Sequence, residues 1–418
     1  MSILIKNVLL NSQKRDVLIE GNKIKKISEC LDIKADEEIN GKGKMILPGL
    51  INMHTHSAMT LFRSYADDMP LQKWLEEKIW PAEAKLTSED VYWGMKLACL
   101  EMIKSGTTTF VDNYWFVPAG ARATEEMGLR AVLAPPFFDL FDMQKREEAI
   151  KQTEEIFQES KNFNSRITFG LAPHSIYTVS EQGLCWIKDF ASKYNLFIQI
   201  HISETKKEVE ECQKKYNKRP IEFLDSLNFL SKNVLAAHSI WFNEAEIDIA
   251  SKQKISIVYN PSSNMKLSSG IFNYADLKKA EINITLGTDG CSSNNNLDMF
   301  EEMKIAALLQ KLNNPKNLPA AECLKLASQN GAKFLGLDIG IKEEKIADII
   351  LIDLEQSSFT PGHNLISDIV YSANGNCVSE VICDGKILMR NRRVEGEEKI
   401  LRKSAEAAKN LINKCNSK

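Results

Sequence analysis

The pattern of hydrophobic and polar residues changes character near residue 50 of the chain. Before that point, short β-like apolar runs are separated by turn signals such as Gly21-Asn22. These runs predict strands at residues 3–10, 17–20 and 24–27. No helical period is evident in this part, so we expect a small antiparallel module.

From residue 50 onward, apolar strand-like runs alternate with amphipathic helical patterns. Largely apolar strands of this kind are typical of a buried parallel sheet. The predicted strands are residues 50–56, 107–113, 129–135, 167–174, 196–204, 233–239, 255–261 and 284–289. The predicted helices are residues 89–104, 119–127, 145–157, 181–194, 206–216, 220–227 and 244–252, with two or more after residue 297.

Eight such repeats predict an α/β fold in which the strands close into a (β/α)8 TIM-like barrel. A doubly wound open sheet is the alternative. That fold would require a glycine-rich turn after its first strand, and no GxGxxG pattern occurs there. The connection after the first strand, residues 57–88, is unusually long and carries Trp74 and Trp80. Long loops at the C-terminal face of a barrel usually serve its active site.

Short strand-like runs return after residue 344, at residues 347–354, 366–371 and 379–389, and a helical pattern covers residues 402–414. An Asp384-Gly385 turn signal divides the third run. The two ends of the chain have the same character. We therefore expect them to pack on each other as one small domain beside the barrel.

Composition and charge exclude some classes of partner. The chain has 418 residues, of which 44% are hydrophobic and 26% charged, with a net charge of -3 and a pI of about 6.2. Because acids and lysines interleave, nucleic-acid binding is disfavoured. No apolar stretch approaches the roughly 18 residues of a membrane helix. The nine widely spaced cysteines and the lack of a signal-peptide pattern predict a reduced, cytoplasmic protein.

Histidines mark the carboxyl ends of the predicted strands. The chain has six, and five of them close a barrel-strand candidate: His54, His56, His174, His201 and His238. The sixth, His363, does not. Because active sites of such barrels lie at the C-terminal ends of the strands, we expect these five residues to meet, together with Glu204 and Asp289.

Four of these residues form a plausible set of metal ligands. His54 and His56 are one residue apart on a strand, so their side chains share one face. With His201 and Asp289 they make a His3Asp set for one divalent ion with an open position for water. The alternative for Asp289 is a helix-cap or Asx-turn residue. Zinc suits the set best, although Fe2+, Mn2+, Ni2+ and Co2+ would also fit.

The remaining polar groups suit hydrolysis. A bound divalent ion lowers the pKa of its water toward about 7. His238 can hydrogen-bond the resulting hydroxide, Asp289 can take the proton of the water, and Glu204 can carry a proton to the substrate. The alternative for Glu204 is an ordinary carboxylate at a helix start.

The same residues lie in stretches that resemble the amidohydrolase superfamily, in its subgroup of metal-dependent deaminases. The order HxH, His, HxxE, His, Asp is kept over nearly the whole chain. More narrowly, the chain is similar to the methylthioadenosine/S-adenosylhomocysteine deaminases. The stretches concerned are HTHSAMTLFR at 54–63, ADDMPL at 66–71, WPAE at 80–83, HISE at 201–204, NPSSNMKL at 260–267 and LGTDG at 286–290.

This resemblance implies a (β/α)8 barrel with a β-sandwich built from both chain ends. The expected domains are residues 1–49 for the N-terminal part of the sandwich, 50–344 for the barrel, and 345–418 for the rest of the sandwich with the terminal helix. The implied reaction is hydrolytic deamination at C6 of adenine in an adenosine derivative, which gives the inosine derivative and ammonia.

The resemblance also implies roles for single residues. Hydroxide attacks C6 while Glu204 delivers a proton to the ring, and His238 and Asp289 hold and deprotonate the water. Glu83 and His174 are expected to contact the ribose hydroxyls, and Trp80 completes the predicted substrate contacts. Without the resemblance, Glu83 would be an ordinary surface acid at a helix start and His174 a core histidine.

One stretch departs from the family pattern. Members that accept S-adenosylhomocysteine are expected to bind its carboxylate with arginines after the third strand. Here residues 135–142 read PPFFDLFD, and the nearest cations are Lys145 and Arg146. This apolar stretch favours a neutral 5′ group, as in methylthioadenosine or 5′-deoxyadenosine, over S-adenosylhomocysteine.

Two rival interpretations remain at this stage. The first is another hydrolase of the superfamily, acting on guanine, cytosine, a triazine or a cyclic amide. Two-metal cyclic amidases bridge their ions with a modified lysine that closes the fourth strand, whereas that strand closes here with His174. The second is a non-catalytic barrel, which would typically lack ligands that this chain keeps. We expect a small-molecule nucleoside as partner, and homo-oligomerisation stays open.

Overall fold

A computed structural model describes residues 1–312 and 314–416 of the chain. Its strands are β1 (Ser2–Leu10), β2 (Gln13–Glu20), β3 (Lys23–Ser28), β4 (Glu37–Asn40), β5 (Lys44–Pro48), β6 (Leu50–Thr55), β7 (Thr107–Asn113), β8 (Arg130–Ala134), β9 (Pro136–Phe137), β10 (Ile167–Phe169), β11 (Ala172–Pro173), β12 (Ile198–Ile202), β13 (Val234–His238), β14 (Ser256–Tyr259), β15 (Asn283–Leu286), β16 (Ile349–Asp353), β17 (Val378–Cys383) and β18 (Lys386–Met389).

The α-helices are α1 (Leu71–Trp74), α2 (Trp80–Glu83), α3 (Ser88–Lys104), α4 (Val117–Met127), α5 (Met143–Ser160), α6 (Glu181–Tyr194), α7 (Lys206–Tyr216), α8 (Pro220–Ser226), α9 (Glu244–Lys252), α10 (Pro261–Lys266), α11 (Tyr274–Lys279), α12 (Met299–Gln310), α13 (Ala320–Leu326), α14 (Gln329–Leu335), α15 (Leu365–Tyr371) and α16 (Glu397–Asn416). A π-helical turn, Leu75–Ile79, joins α1 to α2, and 3-10 turns form at Ser57–Phe62, Ser357–Phe359 and Gly375–Cys377.

Parallel strands make up the central part of the protein. One sheet has the order β10-β8-β7-β6, a second pairs β11 with β9, and a third has the order β12-β13-β14-β15. Parallel bridges between Leu171 and Ile198 and between Ser175 and His201 connect these groups. On the other side, the amide of Asp289 donates to the carbonyl of His54 over 2.9 Å. Each of the eight predicted strand regions contains observed strand residues.

A second sheet combines both ends of the chain. Within the described residues its order is β18-β17-β16-β5-β1-β2-β3, and β4 pairs with β1 as an eighth strand. The antiparallel pairing of β16 with β5 joins the two ends. The prediction of a purely antiparallel N-terminal module was wrong. β4 and β5 pair with β1 in parallel, because the chain crosses over after β3 instead of turning back in a hairpin.

Two further predictions of local structure were wrong. Residues 366–371, predicted as a strand, lie in helix α15, whose side chains Ile369 and Val370 are buried. A short apolar run cannot by its period alone distinguish a strand from a buried helix. Here the Asn364 side chain accepts a hydrogen bond from the Ser367 amide and caps the start of the helix, which favours the helix over a strand. The connection over residues 57–88 is also largely helical rather than an open loop.

The C-terminal helix supports this connection from outside. Ala407 and Leu411 of α16 share a buried apolar cluster with Trp74 and Ile79. Lys85 also donates to the backbone carbonyl of Lys414. Helix α16 therefore packs against the connection that follows the first parallel strand.

All nine cysteines lie in the described ranges and are free thiols. Within those ranges, none of the helices combines the length and the apolar character that crossing a membrane would need.

A buried ion-pair network joins the terminal sheet to the parallel strands. Arg130 of β8 donates to Asp348 over 3.1 Å and to Asp384 over 3.2 Å. The Asp384 amide in turn donates to Asp348 over 2.6 Å. Arg166 lies 3.7 Å from Asp384. Since the Asp348 side chain is 1% exposed, its charge depends on these partners.

We expect Asp348→Ala to destabilise the protein by about 3–5 kcal/mol, because the change leaves Arg130 buried without its main partner. Denaturant unfolding followed by circular dichroism measures this loss. The control is Glu38→Ala, which removes an exposed ion pair with Lys6 and should cost below about 1 kcal/mol. Equal effects of the two changes would contradict the role of the network.

Candidate active site

Five histidines converge at the carboxyl ends of the parallel strands. The ring centroids of His54 and His56 are 4.9 Å apart, and those of His54 and His201 are also 4.9 Å apart. His238 lies 5.5 Å from His201, and His174 lies 4.9 Å from it. The structure therefore brings together the residues that the sequence placed on separate strands.

The ring of His54 is oriented by a side chain behind it. Its Nδ1 donates to Oε1 of Gln199 over 3.1 Å, and Gln199 Nε2 donates to the carbonyl of Asp112 over 2.7 Å. The proton is therefore on Nδ1, and Nε2 keeps its lone pair. This Nε2 is buried and has no hydrogen-bond partner among the described residues. Burial and the neighbouring His56 lower the pKa of His54 to about 3.

Two more imidazoles are oriented by backbone carbonyls. His56 Nδ1 donates to the carbonyl of Asn113 over 2.7 Å, and His201 Nδ1 donates to the carbonyl of His174 over the same distance. Metal-binding histidines typically donate their second ring N–H in this way, which fixes the tautomer and the ring orientation. All three residues therefore direct Nε2 toward a common centre.

Asp289 brings the negative charge of the site. Its Oδ1 lies 3.6 Å from His54 Nε2 and 3.3 Å from His56 Nε2. Burial alone would raise its pKa, but the hydrogen bond and charge of His56 hold the pKa of Asp289 well below its usual range. Conversely, burial would lower the pKa of His56, and Asp289 raises it to about 9.

Tight backbone packing places Asp289. Its φ is 60°, in the left-handed region, where a non-glycine residue is strained. A Cβ at Gly287, two residues before Asp289, would lie 2.8 Å from the His54 amide nitrogen. Only glycine therefore allows this close approach of the two strand ends.

The cluster fits a divalent metal ion. The ligand atoms of His54, His56 and Asp289 all lie within 4.8 Å of one another, and so do those of His54, His201 and His238. Imidazole nitrogens with one carboxylate are a common donor set for zinc and related ions. The unpartnered Nε2 of His54 is the kind of buried polar atom that an ion would satisfy.

Glu204 and His238 face each other beside this cluster. Glu204 Oε2 lies 3.9 Å from His238 Nε2, and Glu204 Oε1 accepts from the Ser269 hydroxyl over 3.0 Å. The carboxylate of Glu208 accepts from the amides of Ser203 and Glu204, which fixes the backbone there. Burial raises the pKa of Glu204, so the carboxyl group holds a proton more readily than in water.

These groups line a cavity with an empty volume of about 640 Å3. Trp80, Glu83 and His174 are in its wall, and burial raises the pKa of Glu83. Each predicted site residue lines this cavity except His54, whose side chain is buried and 1% exposed. The predicted roles of these residues remain predictions, while their proximity is observed.

The mouth of the cavity is apolar. A neighbouring hollow of about 950 Å3 shares Trp80, Glu83, Trp115 and Phe138 with the inner cavity. The ring of Phe138 stacks on His174 at 4.6 Å and on Trp115 at 5.7 Å. Pro173 of β11 pairs with Phe137 of β9. This pairing places the next residues, His174 and Phe138, side by side and so allows their rings to stack.

Sequence reasoning did not assign several residues that orient the site. Gln199, Asn264 and Ser269 each bind a predicted site residue through a side chain. The only sequence signal was indirect. Gln199 lies two residues before His201 in the same strand, and Asn264 lies in the NPSSNMKL stretch, to which no role was given.

Comparison with known proteins agrees with this geometry. The model of the "Amidohydrolase family" matches residues 45–388. A 5-methylthioadenosine/S-adenosylhomocysteine deaminase of Thermococcus sibiricus is 48% identical over 93% of this chain and 94% of its own length. A 5′-deoxyadenosine deaminase of Methanoregula boonei is 45% identical over 99% of this chain and 96% of its own.

A solved structure is similar over the whole fold. It is that of an adenosine deaminase from Xanthomonas campestris with bound zinc. Its TM-score is 0.92 at 30% identity, and the match covers 99% of this chain and 98% of the other. The match therefore includes the terminal sheet as well as the parallel strands.

We expect His201→Ala to lower metal affinity by at least about tenfold, because it removes one imidazole of the proposed ligand set. The measurement is metal content by elemental analysis after dialysis against a zinc buffer. His363→Ala is the matched control, since this exposed histidine lies outside the cluster. If both variants kept the zinc of the wild type, the ligand set would be wrong.

Proposed function

The chain belongs to the amidohydrolase family, and from this premise we propose that it hydrolyses the C6 amino group of adenine in adenosine derivatives. The products are the inosine derivative and ammonia. The proposal rests above all on the convergence of five histidines with Glu204 and Asp289 at one cavity. The names of the relatives, which are deaminases of methylthioadenosine, S-adenosylhomocysteine or 5′-deoxyadenosine, support the substrate class.

The fold that carries this site is a (β/α)8 barrel over residues 50–344. The backbone links between β15 and β6 and between β11 and β12 support closure of the strands. Residues 1–49 and 345–418 form the companion β-sandwich domain with the terminal helix. The pairing of β16 with β5 supports this division.

One divalent ion, zinc in our proposal, would be held by His54, His56, His201 and Asp289. When bound, the ion supplies a water molecule of lowered pKa at neutral pH. The Nδ1 hydrogen bonds of the three histidines fix the tautomers that such binding requires. Burial would raise the pKa of Asp289, but the hydrogen bond and charge of His56 hold it well below its usual range, so the carboxylate is ionised.

The acid–base steps fall to three side chains. Asp289 accepts a proton from the water whose oxygen attacks C6. Glu204 delivers a proton to the adenine ring, which balances the charge that develops there. His238, opposite Glu204, holds the attacking oxygen in place by a hydrogen bond. Asp289 then passes its proton to the C6 amino group, the C6–N bond breaks and ammonia leaves, while the C6 hydroxyl returns a proton to Glu204. Both carboxyl groups are thereby restored, and the overall reaction consumes one water.

The ribose is held on the other side of the cavity. Glu83 and His174 offer an acceptor and an imidazole to its hydroxyls, and Trp80 provides an apolar wall. Burial and the neighbouring His56 and His54 lower the pKa of His174 to about 3, so its ring is neutral. A neutral imidazole next to a buried carboxyl can hydrogen-bond a diol without a charge that would need compensation.

The apolar mouth suits a neutral 5′ substituent. The outer hollow is lined by Leu86, Phe116 and Leu140 besides the aromatic residues it shares with the cavity. Its lining contains no lysine or arginine among the described residues. A homocysteine group would leave its carboxylate without a cationic partner there, which costs free energy.

We expect Glu204→Gln to lower kcat by about 10²–10⁴-fold, because the amide cannot deliver a proton. Ammonia release from 5′-deoxyadenosine by the zinc-loaded enzyme measures this. Glu211→Gln is the control, since Glu211 is an exposed acid on the helix that follows the same strand. Bound zinc should be unchanged in both variants. A Glu204→Gln enzyme with the kcat of the wild type would refute the assigned role.

A substrate panel tests the proposed specificity. Adenosine, 5′-deoxyadenosine, methylthioadenosine, S-adenosylhomocysteine, guanine and cytosine are compared by ammonia release at equal enzyme concentration. We expect the highest kcat/KM for the neutral 5′-modified adenosines, because the mouth is apolar. Equal turnover of S-adenosylhomocysteine would contradict the neutral-substituent proposal. Turnover of guanine or cytosine alone would contradict the substrate class.

A further inference from the structure

We propose that residues 260–269 form a positioning segment, in which Ser263, Asn264 and Ser269 orient the three acid–base groups of the site. The segment contains the NPSSNMKL stretch, to which the reaction itself gives no role. This inference rests on the proposed function, because it assumes that Asp289 and Glu204 transfer protons and that His238 hydrogen-bonds the attacking oxygen. It adds positioning residues that the proposed mechanism does not name.

The backbone of the segment is tightly fixed. Helix α10 begins directly after β14, and the Ser269 amide donates to the carbonyl of Asn264 over 2.9 Å. Ser268 lies between them in the left-handed region at φ 54°, which turns the chain sharply. The Trp241 indole N–H donates to the carbonyl of Ser269 over 2.7 Å. The segment is therefore a rigid support and not a flexible loop.

Each of the three side chains contacts a different functional group. Ser263 donates to Asp289 Oδ2 over 2.6 Å, and Ser269 donates to Glu204 Oε1 over 3.0 Å. Asn264 Oδ1 accepts from His238 Nδ1 over 2.7 Å. All three are at most 3% exposed, so water does not compete for these bonds.

None of the three contacts uses the atom by which its partner faces the reacting centre. Ser263 binds Oδ2 of Asp289, whereas Oδ1 faces His54 and His56 and also accepts from the Gly290 amide over 2.8 Å. With Oε1 of Glu204 held by Ser269, Oε2 faces His238. One short segment thus sets the direction of the three acid–base groups relative to one another.

Asn264 has the most specific effect, because it fixes a tautomer. Its carbonyl oxygen can only accept a hydrogen bond. At 2.7 Å it lies closer to His238 Nδ1 than the Asn260 amide nitrogen does at 3.5 Å, so the His238 proton is on Nδ1. Nε2 of His238 then has a lone pair directed toward Glu204 and the cavity. Without Asn264, the His238 ring could take the other tautomer or rotate away. Substitution of Asn264 would nevertheless leave every reacting group in place.

The first test compares Asn264→Leu with Asn264→Asp. Leucine has the same branching but cannot accept a hydrogen bond, so we expect kcat on 5′-deoxyadenosine to fall about 10- to 100-fold with KM nearly unchanged. Aspartate keeps an acceptor oxygen for His238 Nδ1 and should recover most of that loss. Met265→Ala, in the same helix but 44% exposed, is the control and should keep the kcat of the wild type.

Ser269→Ala provides a second variant with little risk to folding. We expect a smaller fall in kcat, by about 10-fold, since Glu204 loses one of its orienting bonds but keeps its charge environment. Zinc content and melting temperature are measured for every variant. Zinc content should equal that of the wild type, because none of these residues is among the proposed metal ligands. The melting temperature shows whether each variant is folded under the assay conditions, since the loss of a buried hydrogen bond lowers it.

The outcomes separate this inference from the function on which it rests. If the wild type releases ammonia and Asn264→Leu has the same kcat, the positioning role is refuted and the deaminase assignment stands. A fall in kcat that aspartate does not rescue, or that accompanies loss of zinc, would show a merely structural role and would also refute it. A wild type without deaminase activity would instead overturn the proposed function.

Discussion

The structure depends on the crowding of several buried imidazoles around one carboxylate. Burial and mutual repulsion lower the pKa of His54 and His174 to about 3, so these rings stay neutral. Burial would lower the pKa of His56, but Asp289, 3.3 Å away, raises it to about 9. Neutral imidazoles beside an ionised carboxylate are the environment in which a divalent cation is favoured, and a bound cation would replace the proton that Asp289 stabilises on His56. The strained backbone at Asp289 is the cost of bringing that anion into place.

A second set of side chains and carbonyls holds this cluster in one arrangement. Gln199 fixes His54, the Asn113 carbonyl fixes His56, and Asn264 fixes His238. Each contact binds Nδ1 and leaves Nε2 for the cavity. Since the supporting groups belong to neighbouring strands and the turns after them, the parallel sheet orients the rings directly. Reaction chemistry and fold stability therefore share the same hydrogen bonds at this end of the molecule.

The mouth of the cavity is built by a different part of the chain. It is formed by the helical connection after β6 and by the segment after β8, and both present aromatic or aliphatic side chains. Helix α16 packs on that connection from outside through Leu411. This helix thus supports the mouth, although none of its described side chains lines the cavity.

The sequence by itself determined where the parallel strands lie, because each region has its own apolar run, and it identified the histidines that close them. It could not determine that residues 365–371 form a helix, since the period of a short apolar run does not distinguish a helix from a strand. The feature that favours the helix is the Asn364 side chain, which caps its first turn. Nor could the sequence show that β4 and β5 pair in parallel with β1. The orienting roles of Gln199 and Asn264 were also decided only by the tertiary structure. A hydrogen bond between side chains distant along the chain depends on distance and angle in space, which no local pattern records.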